Sequence, residues 1–261
     1  MQTKWITFDL DETVMQNPFG KWVFPELVAM LKREAVTEED IMRLIINEHL
    51  QRMSEERFLE AYNWDDILVT IAKKLEIEVG IDIESMVIKH SKPSKVYLLE
   101  ENMLFNLEKI KRKGFRLAAV TNGYAKYQLP VLKQLGLDTV FEEVITSDSE
   151  GFAKPHTSIL GKLLVKGEVI AHVGDRIDHD VQLANELGIL SVFIHRSLPE
   201  AVLKVPVDER AAHPSFIRLC EEKWYKENRL RETPFLKNKC IPDLVVQSIE
   251  ELAKEIDVFL E

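Results

Sequence analysis

Two aspartates stand two residues apart where the first apolar run of the chain ends. The run Trp5 to Phe8 is followed by Asp9 and Asp11. Aromatic and β-branched residues predict a buried strand, so both carboxylates should lie at a strand end, where open α/β sheets bind their ligands. Because two close carboxylates repel each other, we expect this pair to share a proton or to bind a cation. A solvated turn is the alternative for these two residues taken alone.

Polar residues that could act together with this pair follow three further apolar runs. They are Thr121 and Asn122 after the second run, Lys154 after the third, and Asp175 and Asp180 after the fourth. All strands of a parallel sheet point the same way, so these strand ends should converge on one crevice. With the first pair, that crevice would contain four carboxylates, one amine and one hydroxyl.

Such a crevice suits the transfer of a phosphoryl group. Clustered carboxylate oxygens favour Mg²⁺, which accepts one or two carboxylates together with a substrate phosphate. The metal and the amine can offset the charge of the phosphate, and the hydroxyl can donate a hydrogen bond to it. One aspartate can attack phosphorus, while a second can protonate the leaving oxygen and then activate water.

Apolar spacing predicts alternating helices and strands in the second half of the chain. The predicted strands are Phe115–Val120, Val140–Thr146, Glu168–Val173 and Leu190–Ile194, with helices between them. This alternation predicts an α/β fold with a parallel sheet that helices cover on both faces. We therefore expect a core of residues 1–14 and 99–261.

Residues 15–98 interrupt this alternation, since they show helical periods and no convincing strand. We interpret them as a separate helical module. Its aromatic residues Phe58, Tyr62 and Trp64 are expected to pack between helices rather than to contact a substrate.

The sheet is predicted to resume near the C-terminus. Residues 241–246 are typical of a strand, and Ser248 with Glu251 can cap the helix that follows. Before this strand lie about 45 residues that a simple crossover does not need, so we interpret 197–239 as an insertion. Because it leaves the carboxyl end of a strand, we expect the insertion to flank the crevice.

Composition excludes several classes of protein. The chain has 261 residues and a formal net charge of −10, which argues against nucleic acid or an anionic membrane as its main partner, because binding these normally requires a basic face. It has neither a signal peptide nor an apolar run of membrane-spanning length, so a cytoplasmic location is expected. Cys220 and Cys240 have no zinc-like spacing and are expected to be reduced. The expected partner is a small molecule, and the oligomeric state is left open.

Four segments of the chain together resemble the motifs of the haloacid dehalogenase superfamily. They are residues 9–13 (DLDET), 121–123 (TNG), 154–155 (KP) and 174–180 (GDRIDHD). The resemblance covers most of the chain. It implies a Rossmann-like parallel core, with residues 15–98 as the α-helical cap inserted between the first two motifs.

The resemblance also implies a role for each of these residues. Asp9 would be the nucleophile that forms an aspartyl-phosphate, and Asp11 the general acid and base. Mg²⁺ would be held by the Asp9 carboxylate, the Asp11 main-chain carbonyl and Asp175. The phosphate would be bound by Thr121, Asn122 and Lys154, and Asp180 would be the supporting acid.

We therefore expect a Mg²⁺-dependent phosphatase that hydrolyses a small phosphomonoester of the nucleotide or sugar-phosphate type. A phosphatase is favoured over a dehalogenase because Asp11 can protonate a leaving oxygen. The alternatives are a phosphomutase of the same superfamily, whose cap must exclude water, and a catalytically silent regulatory or binding relative. Glu12 and Arg176 depart from the usual motif residues, and we expect Arg176 to pair with Asp178.

Overall fold

A parallel sheet forms the centre of the computed structural model, which describes residues 3–35, 37–78, 80–228 and 234–260. In chain order the strands are β1 (Lys4–Phe8), β2 (Met15–Gln16), β3 (Tyr97–Leu98), β4 (Arg116–Thr121), β5 (Glu143–Thr146), β6 (Glu168–Gly174), β7 (Leu190–Ile194) and β8 (Leu244–Val246). Six of them form the central sheet, in the spatial order β5-β4-β1-β6-β7-β8, and every neighbouring pair is parallel. The predicted α/β fold with a Rossmann-like core is confirmed.

The α-helices of the described residues fall into two groups, before and after β3. The first group is α1 (Phe24–Glu34), α2 (Ile41–Ser54), α3 (Phe58–Ala61), α4 (Trp64–Lys74) and α5 (Ile83–His90). The second group is α6 (Met103–Arg112), α7 (Ala125–Leu135), α8 (Ser147–Glu150), α9 (Gly161–Lys166), α10 (Gln182–Leu187), α11 (Glu200–Leu203), α12 (Pro214–Glu227), α13 (Lys237–Cys240) and α14 (Ile249–Leu260). The first group is the inserted helical cap, and the second belongs with the sheet.

Strand β1 is buried on both of its faces, which is why its sequence is almost continuously apolar. Ile6 and Phe8 are fully buried in one cluster, which includes Leu107 of α6. Trp5 points the other way, into a second cluster that includes Leu163 of α9. Helices on both sides of the sheet thus fix the position of β1, and with it the position of the residues that follow β1.

A short pair of strands joins the cap to the core. β2 pairs antiparallel with β3, with Met15 opposite Leu98 and Gln16 opposite Tyr97. The sequence interpretation found no strand between residues 15 and 98 and was wrong here. A two-residue strand is too short to show an alternating pattern, so its sequence carries no usable signal.

Arg52 ties three of the cap helices together from a buried position. Its guanidinium lies 3.0 Å from Glu48 in the same helix α2, 2.7 Å from Asp66 of α4 and 3.0 Å from the main-chain carbonyl of Glu60 in α3. Breaking a buried arrangement of this kind leaves an uncompensated charge. The polar centre of the cap therefore fixes how α2, α3 and α4 are arranged.

The last strand of the sheet is shorter than predicted. The predicted strand spans residues 241–246, whereas β8 begins only at Leu244. Pro242 has no N–H group to donate within a sheet. The next residue, Asp243, donates its main-chain N–H to the carbonyl of Ser191, and its carboxylate accepts the Ser191 hydroxyl. The helix after β8 is capped as expected, since Ser248 Oγ accepts the main-chain N–H of Glu251 at 3.0 Å.

The strand predicted at residues 140–146 is also shorter, since β5 covers only Glu143–Thr146. The main-chain N–H groups of Val140 and Phe141 both donate to the carbonyl of Leu137, which holds this segment in a turn.

Two further expectations concern the cysteines and membrane association. Cys220 and Cys240 are both free and buried, as expected of a reduced pair. Among the residues that the structure describes, no helix combines the length and apolar character needed to cross a membrane.

Candidate active site

The ends of three adjacent strands bring the motif residues together. Asp9 directly follows β1, Thr121 is the last residue of β4, and Asp175 directly follows β6. The main-chain N–H of Asp9 donates to the carbonyl of Val173 at 2.8 Å, which continues the pairing of β1 with β6 by one step. The sheet register therefore sets the position of Asp9.

Lys154 lies at the ionic centre of the site and is 1% exposed. Its Nζ donates to Asp9 Oδ1 and to Asp180 Oδ1, both at 2.6 Å, and to the carbonyl of Val120 at 2.9 Å. Burial alone would lower the pKa of Lys154, but the carboxylates of Asp180 and Asp9 outweigh burial and raise this pKa above its usual range. Lys154 is therefore a permanent cation between two carboxylates.

The carboxylates of the site are too crowded to be fully ionised without a further cation. Burial raises the pKa of Asp9 to about 8, with Asp180 and Asp175 adding to the rise and Lys154 opposing it. Burial likewise raises the pKa of Asp175 to about 6, although Lys223 opposes this shift. A divalent cation would favour the ionised form of both groups.

Three carboxylates form a cluster that could hold a metal ion. Oxygens of Asp9, Asp175 and Asp180 lie within 4.8 Å of one another. Asp180 accepts hydrogen bonds from Lys154 and His172 at Oδ1 and from the main-chain N–H of Arg176 at Oδ2. Its oxygens are thus already satisfied, and the other two aspartates are the better metal ligands. This set of oxygen donors fits Mg²⁺.

Asn122 fixes the main chain of Lys154. Its amide Nδ2 donates to the Lys154 carbonyl at 3.0 Å, and its Oδ1 accepts the Lys154 main-chain N–H at 2.7 Å. The carbonyl of Asn122 in turn accepts the hydroxyl of Ser147 at 2.7 Å. The side chain of Asn122 therefore links the loop after β4 to the loop that contains Lys154.

The hydroxyl of Thr121 is held in a similar way but keeps its proton available. Its Oγ1 accepts the main-chain N–H of Gly123 at 3.1 Å. A hydroxyl that accepts one hydrogen bond can still donate one. Thr121 can therefore donate to an oxygen of a ligand next to Asp9.

The carboxyl group of Asp11 is not part of the cluster of Asp9, Asp175 and Asp180, and it has a different environment. Its Oδ2 accepts a hydrogen bond from Gln128 of α7 at 2.8 Å, while its Oδ1 is buried and has no partner among the described residues. Burial raises the pKa of Asp11, so its carboxyl group holds a proton more readily than an exposed aspartate does. Nothing in the sequence indicated Gln128, because its contact joins residues 117 positions apart.

The end of strand β6 is packed so tightly against the loop that follows it that its last residue must be glycine. A Cβ atom on Gly174 would lie 2.1 Å from Cγ of Asp180. Two residues further on, Arg176 forms hydrogen bonds of 2.9 and 2.8 Å with the two carboxylate oxygens of Asp178. The expected pairing of Arg176 with Asp178 is confirmed.

Helix α12 approaches the same loop from the segment interpreted as an insertion. Glu227 Oε2 accepts the main-chain N–H of Ile177 at 3.1 Å, and Lys223 Nζ lies 3.6 Å from Asp175 Oδ2. The prediction that this segment flanks the crevice is confirmed for α12. Residues 229–233 of the segment lie outside the described residues.

A cavity of about 680 Å³ opens beside Asp11 and Asp175, between the core, the cap and α12. The cap residues that line it include the aromatic side chains of His49, Tyr62 and Trp64. Trp64 packs against the rings of Phe24 and His49, as expected of a cap aromatic. Because Tyr62 and Trp64 also face the cavity, the expectation that the aromatic residues only pack between helices holds in part.

Comparisons with known proteins agree with this architecture. The glyceraldehyde 3-phosphate phosphatase of Methanocaldococcus jannaschii is 29% identical over 207 residues, which cover 73% of this chain and 84% of that protein. The phosphoglycolate phosphatase of Pasteurella multocida is 35% identical over 95 residues, which cover 35% of this chain and 42% of that protein.

Two solved structures have the same fold as this chain. The L-2-haloacid dehalogenase of Xanthobacter autotrophicus superposes with a TM-score of 0.60 at 16% identity, covering 98% of each chain. A magnesium-bound hydrolase from Bacillus subtilis superposes with a TM-score of 0.61 at 15% identity, covering 98% of this chain and all of that one. The family model of haloacid dehalogenase-like hydrolases matches residues 3–188. With this match over most of its length, the chain belongs to the haloacid dehalogenase-like hydrolases.

Proposed function

We propose that this hydrolase is a Mg²⁺-dependent phosphatase, which cleaves a small phosphomonoester through an aspartyl-phosphate formed on Asp9. The observation that carries the proposal is the contrast between its first two aspartates. The carboxylate of Asp9 lies against the cation of Lys154, whereas the carboxyl group of Asp11 is held by the neutral amide of Gln128. One carboxylate is thereby kept close to a positive charge, and the other is suited to carry a proton.

Asp9 is the nucleophile of the proposed reaction. Its Oδ1 is bound by Lys154, and its Oδ2 accepts no hydrogen bond from any described residue. Oδ2 forms the bond to phosphorus as the bond from phosphorus to the leaving oxygen breaks. The Asp11 carboxyl group gives its proton to that oxygen, so the product leaves as an alcohol.

Asp11 then acts as the base in the second half of the reaction. Its carboxylate takes a proton from a water molecule, the water oxygen bonds to phosphorus, and the bond between phosphorus and Asp9 breaks. Inorganic phosphate leaves, and Asp11 is again protonated. An oxygen leaving group needs this proton, which is why we propose a phosphatase although one solved structure of the same fold is a dehalogenase.

In this proposal Mg²⁺ would be held by the Asp9 and Asp175 carboxylates together with the main-chain carbonyl of Asp11. Bound Mg²⁺ would offset the negative charges of the phosphate and of Asp9. Asp180 supports the site by holding Lys154 and the main chain of Arg176 in place.

Thr121, Asn122 and Lys154 form the phosphate site of this proposal. Thr121 donates its hydroxyl to a phosphate oxygen, and Lys154 offsets phosphate charge. Asn122 contributes to phosphate binding through its main chain, because its side-chain amide is already hydrogen-bonded to the main chain of Lys154.

The substrate is proposed to be a small phosphorylated metabolite. The cavity of about 680 Å³ suits a small ligand enclosed between a cap of residues 15–98 and a core of residues 1–14 and 99–261. The names of the relatives, glyceraldehyde 3-phosphate phosphatase and phosphoglycolate phosphatase, support substrates of this size.

Hydrolysis of p-nitrophenyl phosphate tests this proposal. We expect turnover with Mg²⁺, no turnover with excess EDTA, and a loss of at least about 1,000-fold in kcat for Asp9→Asn, which removes the nucleophile. Asp138→Asn is the matched control, because Asp138 is exposed on a turn outside the site. Equal turnover by Asp9→Asn and the control would overturn the proposal.

A further inference from the structure

The side chain of Gln128 is buried against Asp11 and against the loop that follows β4. Only 3% of Gln128 is exposed, and its Nε2 donates to Asp11 Oδ2 at 2.8 Å. Gly123 packs directly on the same side chain, since a Cβ atom on Gly123 would overlap Nε2 and would lie 2.9 Å from Cγ of Gln128. The amide of Gln128 therefore has little room to move away from Asp11.

The first turn of α7, which carries Gln128, is anchored to the cap. The hydroxyl of Tyr127 donates to Asp65 Oδ2 at 2.8 Å and accepts the main-chain N–H of Asp65 at 3.2 Å. Lys126 forms an ion pair with the same carboxylate. Because Asp65 belongs to helix α4 of the cap, the turn that presents Gln128 to Asp11 is held from the cap as well as from the core.

The hydrogen bond from Gln128 distinguishes the two oxygens of the Asp11 carboxyl group. The oxygen that accepts an N–H is favoured as the carbonyl oxygen, so a protonated Asp11 carries its proton on Oδ1. Oδ1 makes no hydrogen bond with any described residue, and Asp11 lines the cavity. The proton on Oδ1 is therefore available to a group of the ligand.

We propose that Gln128 is the positioning residue of the acid and base Asp11. Its hydrogen bond holds the carboxyl group so that Oδ1 gives its proton to the leaving oxygen in the first step. In the second step Oδ1 takes a proton from the attacking water. Gln128 touches neither the phosphate nor the metal in this proposal and acts only through Asp11. The inference rests on the phosphatase function proposed above.

Two esters whose leaving groups differ in their need for a proton test this role. p-Nitrophenolate leaves without a proton, whereas the alkoxide of benzyl phosphate needs one, and both esters carry an aromatic ring. Gln128→Met removes the donor and keeps an unbranched side chain of similar length. It should lower kcat/KM for benzyl phosphate about 30-fold or more and that for p-nitrophenyl phosphate less than about threefold. Gln128→Asn, whose amide is one methylene group too short, should show the same pattern.

The second step of the reaction gives an independent readout. The ratio kcat/KM reports the reaction only up to the transfer of the phosphoryl group to Asp9, whereas kcat includes the hydrolysis of this intermediate. With p-nitrophenyl phosphate, Gln128→Met should therefore lose about tenfold in kcat, with a parallel fall in KM and a burst of p-nitrophenol. A general disturbance of the site would instead lower kcat/KM for both esters equally.

Gln134→Met is the matched control, because Gln134 lies on the same helix and is exposed. It should leave the kinetics of both esters unchanged. Replacing Gln128 in the Asp11→Asn variant should cause no further loss, because Gln128 acts through Asp11. Equal losses on both esters, no loss on either, or a further loss in the Asp11→Asn variant would overturn the inference. If the wild-type protein hydrolysed no p-nitrophenyl phosphate, the phosphatase function itself would be wrong instead.

Discussion

Lys154 Nζ lies 2.6 Å from Asp9 Oδ1, although the two residues are 145 positions apart in the chain. The same nitrogen lies 2.6 Å from Asp180 Oδ1. This buried amine therefore neutralises carboxylates from the segments that follow two neighbouring strands, β1 and β6. It links the stability of the core to the electrostatics of the proposed reaction.

Replacing this amine should destabilise the protein strongly. Lys154→Met leaves the buried carboxylates of Asp9 and Asp180 without their cation, and we expect the free energy of unfolding to fall by about 3–5 kcal/mol. Urea unfolding at neutral pH measures this loss. Lys166→Met is the control, because Lys166 forms a largely exposed pair with Glu143 and should cost less than about 1 kcal/mol. Similar losses in both variants would contradict the role given to Lys154.

A methyl group on Gly174 should disturb the site more than the fold. Its Cβ would lie 2.1 Å from Cγ of Asp180, so the carboxylate that holds Lys154 must move. We expect Gly174→Ala to lose about 100-fold or more in kcat/KM for p-nitrophenyl phosphate. Gly161→Ala has space around the added methyl group and should keep nearly full activity. An active Gly174→Ala variant would show that the position of Asp180 does not matter.

The proposed metal site predicts a specific effect of Asp175. Asp175→Asn removes one of the two charged ligands proposed for Mg²⁺, and the Mg²⁺ concentration for half-maximal activity should rise about tenfold or more. Isothermal titration calorimetry with Mg²⁺ should show the same loss of affinity without substrate. Asp208→Asn, at an exposed turn, should leave both values unchanged. An unaltered Mg²⁺ affinity in Asp175→Asn would place the metal elsewhere.

Asp11 should be required for the first step of the reaction only when the leaving oxygen needs a proton, and for the second step with every substrate. p-Nitrophenolate leaves without a proton, so Asp11→Asn should still form the covalent intermediate from p-nitrophenyl phosphate but should fail to hydrolyse it. We expect a burst of p-nitrophenol, equal in amount to the enzyme, followed by slow turnover. Steady release at the wild-type rate would show that Asp11 is not the base of the second step.

The sequence was sufficient to predict the parallel sheet and the place of each motif. Asp9, Thr121 and Asp175 each follow or end a short apolar run, and a parallel sheet leaves such strand ends at one edge. Short apolar runs that end in polar residues were enough for this prediction. The same patterns predicted the capping of α14 by Ser248, because both partners of that contact lie within four residues.

Contacts between distant elements could not be predicted in this way. Gln128 reaches Asp11 from α7, and Glu227 reaches the main chain of Ile177 from α12. Neither residue differs from an ordinary polar residue on a helix until the packing of the helix is known. The hydrogen bonds between the side-chain amide of Asn122 and the main chain of Lys154 likewise join residues that are distant in the sequence.

The most direct test of the proposed mechanism is to detect the phosphoryl group on Asp9. The Asp11→Asn variant would be mixed with Mg²⁺ and p-nitrophenyl phosphate, quenched in acid and digested, and its peptides would be analysed by mass spectrometry. We predict one added phosphoryl group on the peptide that contains Asp9, and none when Asp9 is also replaced by asparagine. A variant that releases p-nitrophenol while this peptide stays unmodified would contradict the account.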